Sequence, residues 1–168
     1  KGEKPLQWIL LTNLTVQTLE EAVEKLDWYL CRWQIEVFFK ILKSGCKVEE
    51  LQLEHVDRIE NALAFYQIIA WRVLYLTMLG RECPELSCNL VFEDQEWQAV
   101  YIVSKKEKPP EIPPSISVII RMVASYGGFL NRKGDGFPGP QTIWIGLQRC
   151  QDFVLAVEAQ KAISGRRL

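Results

Sequence analysis

Residues 18–45 read TLEEAVEKLDWYLCRWQIEVFFKILKSG, and this stretch predicts one long helix. Thr18 and Glu21 match a capping box, in which the side chains of the N-cap residue and of the residue three places on each accept a backbone N–H. Gly45 is a typical residue just past the end of a helix. An uninterrupted helix from Leu19 to about Ser44 would be roughly 39 Å long.

Six polar side chains of this helix fall on one narrow side. At about 100° per residue they occupy a stripe about 80° wide, and they are Lys25, Tyr29, Arg32, Glu36, Lys40 and Lys43. Most of the remaining circumference is apolar, which is typical of a buried helix. We therefore expect a buried rod that exposes one charged line with a single carboxylate.

Two interpretations of this line are open. Cations and a phenol around one carboxylate suit the phosphate oxygens of a polyanion, with Glu36 holding a divalent metal at the same phosphate. Alternatively, Arg32 and Glu36 stand at positions i and i+4, where structural ion pairs are common. Spacing alone favours the ion pair.

The rest of the chain reads as mainly helical. Trp8–Thr12 is a short apolar run that predicts a strand, and its position suggests that the residues cover the end of a longer protein. Four prolines make the segment from Lys108 to Pro114 a linker. Further helices are predicted over residues 58–79, 95–105, 115–126 and 141–163.

Composition narrows the function classes. The net charge of −1 and the pI of about 6.0 argue against DNA binding by the whole surface and leave room for a local basic track. Five cysteines without a C-x-x-C pair, and one histidine, predict buried reduced thiols in a cytosolic protein rather than a zinc cage. The most apolar stretch, Ala64–Leu79, contains Gln67 and Arg72 and is expected to be a buried helix.

The pattern Tyr29-x2-Arg32-x3-Glu36-x6-Lys43 resembles the Y-R-E-K signature of bacterial IS-four-group transposases of the kanamycin-transposon type. The run from Trp8 to Thr12 is similar to the family's segment ahead of this helix. Residues 127–136, GGFLNRKGDG, are similar to a stretch that recurs near the C-terminus of such proteins. The resemblance covers nearly the whole chain.

This resemblance implies a DDE-type cut-and-paste transposase with an RNase H-like α/β core. Residues 1–50 would be the helical end of that core and residues 51–168 a helical C-terminal region for dimerisation, a mainly α arrangement. It implies two divalent metals, expected to be Mg²⁺, and strand nicking, hairpin formation and strand transfer. Implied partners are transposon-end DNA, target DNA and a second transposase copy, in the bacterial cytoplasm and without a membrane.

The resemblance also assigns roles to residues. Glu36 would be the catalytic, metal-binding glutamate, and Tyr29 and Arg32 would hold a DNA phosphate near the cleavage point. Lys43 would contact the transposon end. Lys40 and Lys25 share the stripe without belonging to the signature, and we expect them to be auxiliary phosphate contacts. Trp8 stands where some relatives stack an aromatic ring on a displaced base, although a core tryptophan is equally compatible with its position.

The chain departs from a complete enzyme in one respect. Asp27 is the only aspartate before Glu36, and it lies almost opposite Glu36 on the helix, so neither catalytic aspartate is present. We therefore expect a fragment that does not cut DNA by itself. The alternatives are a non-catalytic helical module that dimerises or binds DNA, and an unrelated helical protein with a structural Arg32–Glu36 pair.

Two features of the C-terminal region stay open at this level. Arg132 and Lys133, in the glycine-rich stretch, suit either a contact to the DNA backbone or a solvated turn. The apolar residues of the last helix suit either a dimer contact or packing within the monomer.

Overall fold

A computed structural model describes Pro5 and residues 7–164. The chain divides into two compact units, Lys1–Val37 and Phe38–Leu168. The sequence predicts a domain boundary after residue 50. The division into compact units does not test that boundary, because a compact unit of the fold and a domain of the parent protein need not have the same ends. Residues 1–4, 6 and 165–168, at the outer ends of the predicted domains, lie outside the described residues.

The first unit contains the predicted capping box. Helix α1 spans Leu19–Leu30. The Thr18 hydroxyl accepts a hydrogen bond from the Glu21 N–H at 3.2 Å. The Glu21 carboxylate in turn accepts from the N–H groups of Gln17 at 2.7 Å and Thr18 at 3.3 Å. These backbone donors, Gln17 first, lower the pKa of Glu21.

The single long helix predicted from Leu19 to Ser44 is wrong in its continuity. Cys31 interrupts it with a tighter turn, in which the Gln34 N–H donates to the Cys31 carbonyl at 3.0 Å. Helix α2 then spans Arg32–Lys40, and a π-helix follows over Ile41–Gly45. The wider turn closes with the Cys46 N–H donating to the Ile41 carbonyl at 2.9 Å.

The strand predicted over Trp8–Thr12 is also wrong. These residues have irregular backbone, and Ile9 and Leu11 are 79% and 96% exposed. A strand exists only as part of a hydrogen-bonded ladder, and no described residue of the chain pairs with this segment. Among the described residues there is no β-strand, and the one bridge of β type joins Ser87 to Ser115.

The expectation of a buried rod is wrong for the described part of the first unit. No residue of α1 is buried, and Trp28, Trp33 and Ile35 keep about half of their surface exposed, at 54%, 51% and 51%. An apolar helix face is buried only where another element packs on it. Here the remainder of the unit is an irregular segment, so the apolar surface stays open.

The second unit is a helical assembly. After the π-helix come a 3₁₀ turn over Val48–Glu50, α3 over Val56–Glu82 and a 3₁₀ turn over Cys88–Leu90. Helices α4, α5 and α6 span Asp94–Lys105, Ile116–Tyr126 and Pro140–Ser164. The predicted helices and the linker are therefore confirmed within a few residues, which is the usual uncertainty of helix ends. His55 is the N-cap residue of α3, and Glu93 with Glu96 forms the capping box of α4.

The hydrophobic core belongs to the second unit. Every residue of the core set is almost fully buried, and the set includes Val73, Leu76, Trp97, Val100, Ile116, Ile119, Ile120, Val123 and Ile143. Helix α3 is long and apolar enough to cross a membrane by length and composition alone. One side of its C-terminal half lies in this core, with Ala70, Val73 and Leu76 buried. Phe65 and Ile68 on another side are exposed, so the expectation of a buried helix over residues 64–79 is wrong in part.

Helices α5 and α6 cross at very short range. A Cβ atom built on Gly146 of α6 would lie 2.0 Å from the carbonyl oxygen of Val123 in α5. A Cβ atom on Gly127, at the end of α5, would lie 1.9 Å from the carbonyl oxygen of Thr142. Only glycine allows the two backbones to approach this closely, so both positions fix how α6 sits on α5.

Polar contacts attach the neighbouring elements to this pair. The Trp144 indole N–H donates to the Gly45 carbonyl at 2.9 Å, which joins α6 to the π-helix. Arg72 of α3 donates two hydrogen bonds of 2.8 Å to the Glu96 carboxylate of α4. Both bonds come from the Nη2 atom of Arg72, and hydrogen bonds between two ionised groups are stronger than those between neutral groups.

The prediction of buried thiols is correct for three of the five cysteines. Cys46, Cys88 and Cys150 are buried, and burial raises the pKa of Cys88 to about 11 and that of Cys150 to about 12. Cys31 and Cys83 are exposed, so the prediction is wrong for them. Both are C-cap residues, Cys31 of α1 and Cys83 of α3.

Substituting Gly146→Ala tests the close crossing. Alanine favours a helix by up to about 1 kcal/mol over glycine, but the added Cβ must displace α5, and such overpacking costs about 1–3 kcal/mol. Because the Cβ meets a backbone carbonyl and not a flexible side chain, the cost lies at the upper end of that range. We expect a net loss of about 2 kcal/mol in the free energy of unfolding, measured by urea denaturation. Gly139→Ala is the matched control, because a Cβ there meets nothing within 4 Å. Equal effects of the two variants would contradict the crossing.

Candidate functional site

The structure brings together three of the predicted site residues in the first unit. Arg32 donates a hydrogen bond to the Glu36 carboxylate at 2.5 Å. The Arg32 guanidinium carbon also lies 5.5 Å from the centre of the Tyr29 ring and 5.1 Å from that of Trp33. The hydrogen bond and the charge of Glu36, followed by a weaker contribution from Tyr29, raise the pKa of Arg32.

This ion pair is exposed. The side chains of Arg32 and Glu36 keep 46% and 43% of their surface accessible. Exposed i,i+4 pairs contribute little to stability because water already solvates both charges. The pair that spacing favoured is therefore formed, and both charges stay accessible to a ligand that offers a stronger partner.

Lys25, also predicted on the stripe, is engaged elsewhere. Its ammonium pairs with the carboxylate of Glu24 and lies 3.7 Å from the centre of the Trp28 ring. A lysine ammonium that contacts a neighbouring carboxylate and an aromatic face has less of its positive charge available for an external anion. The structure therefore does not add Lys25 to the cluster of Tyr29, Arg32 and Glu36.

Lys40 and Lys43 belong to the second unit. Lys40 is exposed, and Lys43 forms an ion pair with Glu49 at 2.9 Å. Because a π-helix begins at Ile41, the angular step of an α-helix does not extend to Lys43. The common stripe that joins these lysines to Glu36 stays a prediction.

Trp8 lies in the irregular segment of the first unit and is 68% exposed. It is therefore not a core tryptophan within this unit. Its accessible ring is compatible with stacking on a base, and that role stays a prediction.

The described residues do not form a metal site by themselves. Among Pro5 and residues 7–164, no group of three or more histidine, cysteine, aspartate or glutamate side chains can hold an ion together. Glu36 offers one carboxylate, which is a hard oxygen ligand of the kind that Mg²⁺ prefers. One carboxylate paired with an arginine is too few ligands, so any metal there needs further groups.

The second unit carries an exposed apolar ridge on α6 that sequence reasoning did not single out. Leu155 and Ile163 are 56% and 72% exposed, and Ala159 between them is exposed as well. These residues recur at every fourth position, so they share one side of α6. The opposite side carries the buried residues Cys150 and Val154.

Helix α3 carries a second exposed apolar stripe. Phe65, Ile68, Trp71 and Tyr75 are 71%, 65%, 56% and 41% exposed. The rings of Trp71 and Tyr75 stack with centroids 4.9 Å apart. Exposed apolar surfaces of this kind mark interaction sites.

Comparison with protein families distinguishes a transposase from an unrelated helical protein. The family model of the transposase Tn5 dimerisation domain matches residues 68–166, which is more than half of the chain. The chain belongs to this family.

The match makes residues 68–166 the C-terminal module of a Tn5-type transposase. It covers all of α4, α5 and α6 and most of α3. It confirms the transposase family that the sequence resembles and excludes an unrelated helical protein. Residues 29–43, with the Y-R-E-K pattern, lie outside the matched region.

The exposed ion pair generates a stability test. We expect Glu36→Gln to leave helix content and the urea midpoint of this chain unchanged, because the carboxylate is solvated and holds no other element. Circular dichroism during denaturation measures both. A clear drop in the midpoint would show that Glu36 has a structural role.

Proposed function

We propose that the Tn5 dimerisation domain of this chain pairs two transposase copies through the ridge of α6, defined by Leu155, Ala159 and Ile163. The observation that carries the proposal is an apolar helix side left open in a domain of a dimerising family. Burial of that side against a second copy removes it from water, which is the main driving force of association.

The geometry of α6 supports this surface. The ridge extends over nine residues, from Leu155 to Ile163, about 12 Å along the helix. Ala156 and Ala159 are small and exposed, so another helix can approach the backbone closely. In a symmetric dimer the same ridge serves both copies, and α6 of one copy crosses α6 of its partner.

The stripe on α3 is the competing surface. The ridge of α6 lies wholly within the residues that match the dimerisation family, whereas Phe65, the most exposed member of the α3 stripe, precedes them. This placement favours α6.

Glutamate substitutions separate the two surfaces. We expect Leu155→Glu with Ala159→Glu to shift the protein to a monomer, because burying two carboxylates in an apolar contact is unfavourable. Sedimentation velocity over a concentration series measures the oligomeric state. Ile68→Glu on α3 is the matched control and should leave the dimer intact. A monomeric Ile68→Glu variant together with a dimeric α6 variant would overturn the assignment.

We further propose that the first unit belongs to the RNase H-like catalytic core of the same transposase and that Glu36 is its catalytic glutamate. Glu36 would supply one carboxylate of a divalent-metal site, expected to hold Mg²⁺, whose other ligands are not among the described residues. The bound metal would activate the attacking oxygen and stabilise the leaving one. The substrates would be transposon-end and target DNA in the bacterial cytoplasm.

The cluster in α1 and α2 supports this second proposal. The side chains of Arg32 and Glu36 are solvent-accessible, and Tyr29 beside Arg32 is half-buried. The rings of Tyr29 and Trp33 flank the Arg32 guanidinium and restrict it, so it is partly oriented for a phosphate. Lys43 and Trp8 are proposed as additional DNA contacts because of the resemblance, and Lys40 because it lies on the predicted stripe.

A carboxamide substitution in the complete transposase tests the catalytic role. We expect Glu36→Gln to abolish cleavage of transposon-end DNA and to leave end binding largely intact, because the amide keeps the shape but loses the charge. Glu24→Gln is the matched control, as Glu24 is also an exposed carboxylate beside a cation. Cleavage is followed on labelled DNA and binding by gel shift. Undiminished cleavage by Glu36→Gln would support the alternative, a non-catalytic dimerisation module.

A further inference from the structure

The glycine-rich loop, residues 127–138 with the sequence GGFLNRKGDGFP, is fixed to the second unit at both ends. Gly127 contacts the backbone of α6 at Thr142. At the other end Pro138 is buried, and the ring of Phe137 occupies the space that a Cβ on Gly80 would need, at 2.3 Å. The loop is therefore part of the packed structure and not a free connection.

Arg121 of α5 holds the middle of the loop. Its guanidinium lies 5.9 Å from the centre of the Phe129 ring and 5.6 Å from that of Phe137. It also donates a hydrogen bond of 2.6 Å to the Asn131 side chain. One arginine thus contacts three loop residues.

Particular residues also fix the backbone conformation of the loop. Asn131 has a φ of 52°, a conformation that asparagine and glycine tolerate best, and Gly134 and Gly136 have φ values of 102° and 71°. A turn follows in which the Asp135 N–H donates to the Arg132 carbonyl at 3.1 Å. The Asp135 carboxylate accepts from the Arg132 N–H at 2.7 Å.

The side chains of Arg132 and Lys133, at this turn, do not hold the loop in place as those of Arg121 and Asp135 do. Arg132 and Lys133 are exposed, and neither side chain forms a hydrogen bond or an ion pair with a described residue of the chain. With Asp135 the turn carries one net positive charge, and Arg121 beneath it adds another, in a chain whose net charge is −1. The loop is therefore locally positive in a chain whose formal net charge is slightly negative.

We propose that the glycine-rich loop is a pre-organised contact for the DNA phosphate backbone, with Arg132 and Lys133 as the contacting side chains. A fixed loop has already lost its conformational entropy, so binding costs less than ordering a mobile segment. Contacts of this kind position DNA without reading its sequence. The inference rests on the proposed function, because the polyanion is the DNA that the transposase handles.

The salt dependence of DNA binding by the complete transposase tests the contact. The slope of log K against log salt is negative, and each lost phosphate contact reduces its magnitude by about 0.9 for duplex DNA. For a transposon-end duplex we expect Arg132→Ala with Lys133→Ala to reduce the magnitude of the slope by about 2. Lys105→Ala with Lys108→Ala is the matched control, since both lysines are exposed in and beside the linker, and its slope should equal that of the unmodified protein.

A third variant tests the pre-organisation. Asn131→Gly keeps a residue that accepts a positive φ but removes the acceptor for Arg121. We expect weaker binding with an unchanged salt slope, because the loop loosens while both cations remain. Unchanged affinity for Asn131→Gly would overturn the role of the fixed loop.

The outcomes separate this inference from the proposed function. If the unmodified transposase binds the duplex and the Arg132, Lys133 variant keeps its slope and affinity, the loop contact is refuted and the proposed function stands. If the Arg132, Lys133 variant no longer binds an acidic peptide but keeps the salt slope of its DNA binding, the loop contacts a protein partner and the DNA contact is refuted. If the unmodified protein binds no DNA, both proposals fail.

Discussion

The second unit depends on the backbone contact between α5 and α6. Gly146 lies against Val123, and Gly127 lies against Thr142, at distances that leave no space for a Cβ atom. This contact fixes the rotation of α6 about its own axis. The rotation decides that Cys150 and Val154 face the core while Leu155, Ala159 and Ile163 face outward. The surface proposed for dimerisation is thus a consequence of two glycines.

The same contact positions the glycine-rich loop. Gly127 ends α5 and begins the loop, so the helix crossing sets the direction in which the loop leaves α5. Arg121 and Phe137 then attach it to α5 and to Gly80 of α3. Dimer surface and basic loop therefore belong to one packed unit, and a change at the crossing is expected to reach both.

The sequence predicted the elements of the second unit well because their signals are local. The prolines of the linker, the glycines after Tyr126 and the apolar periodicity of each helix act within a few residues. The signals failed where burial depends on a second element, as for Trp8–Thr12 and for the apolar circumference of α1. Periodicity shows which side of a helix is apolar and does not show what covers it.

The candidate sites divide in the same way. The Arg32–Glu36 pair follows from i,i+4 spacing and is present. The engagement of Lys25 by Glu24 and of Lys43 by Glu49 was not foreseen, because several partners are within reach of a flexible lysine. The sequence does not indicate the ridge of α6, because its apolar residues are spread around the helix and their exposure depends on which side packs on α5.

Hydrogen–deuterium exchange at two protein concentrations, one above and one below the dimer dissociation constant, locates the dimer surface in solution. We expect amides of the last part of α6, residues 155–164, to exchange more slowly in the dimer, while those of residues 65–75 in α3 are unchanged. Slower exchange confined to residues 65–75, or no difference anywhere in residues 68–164, would contradict a dimer surface on α6.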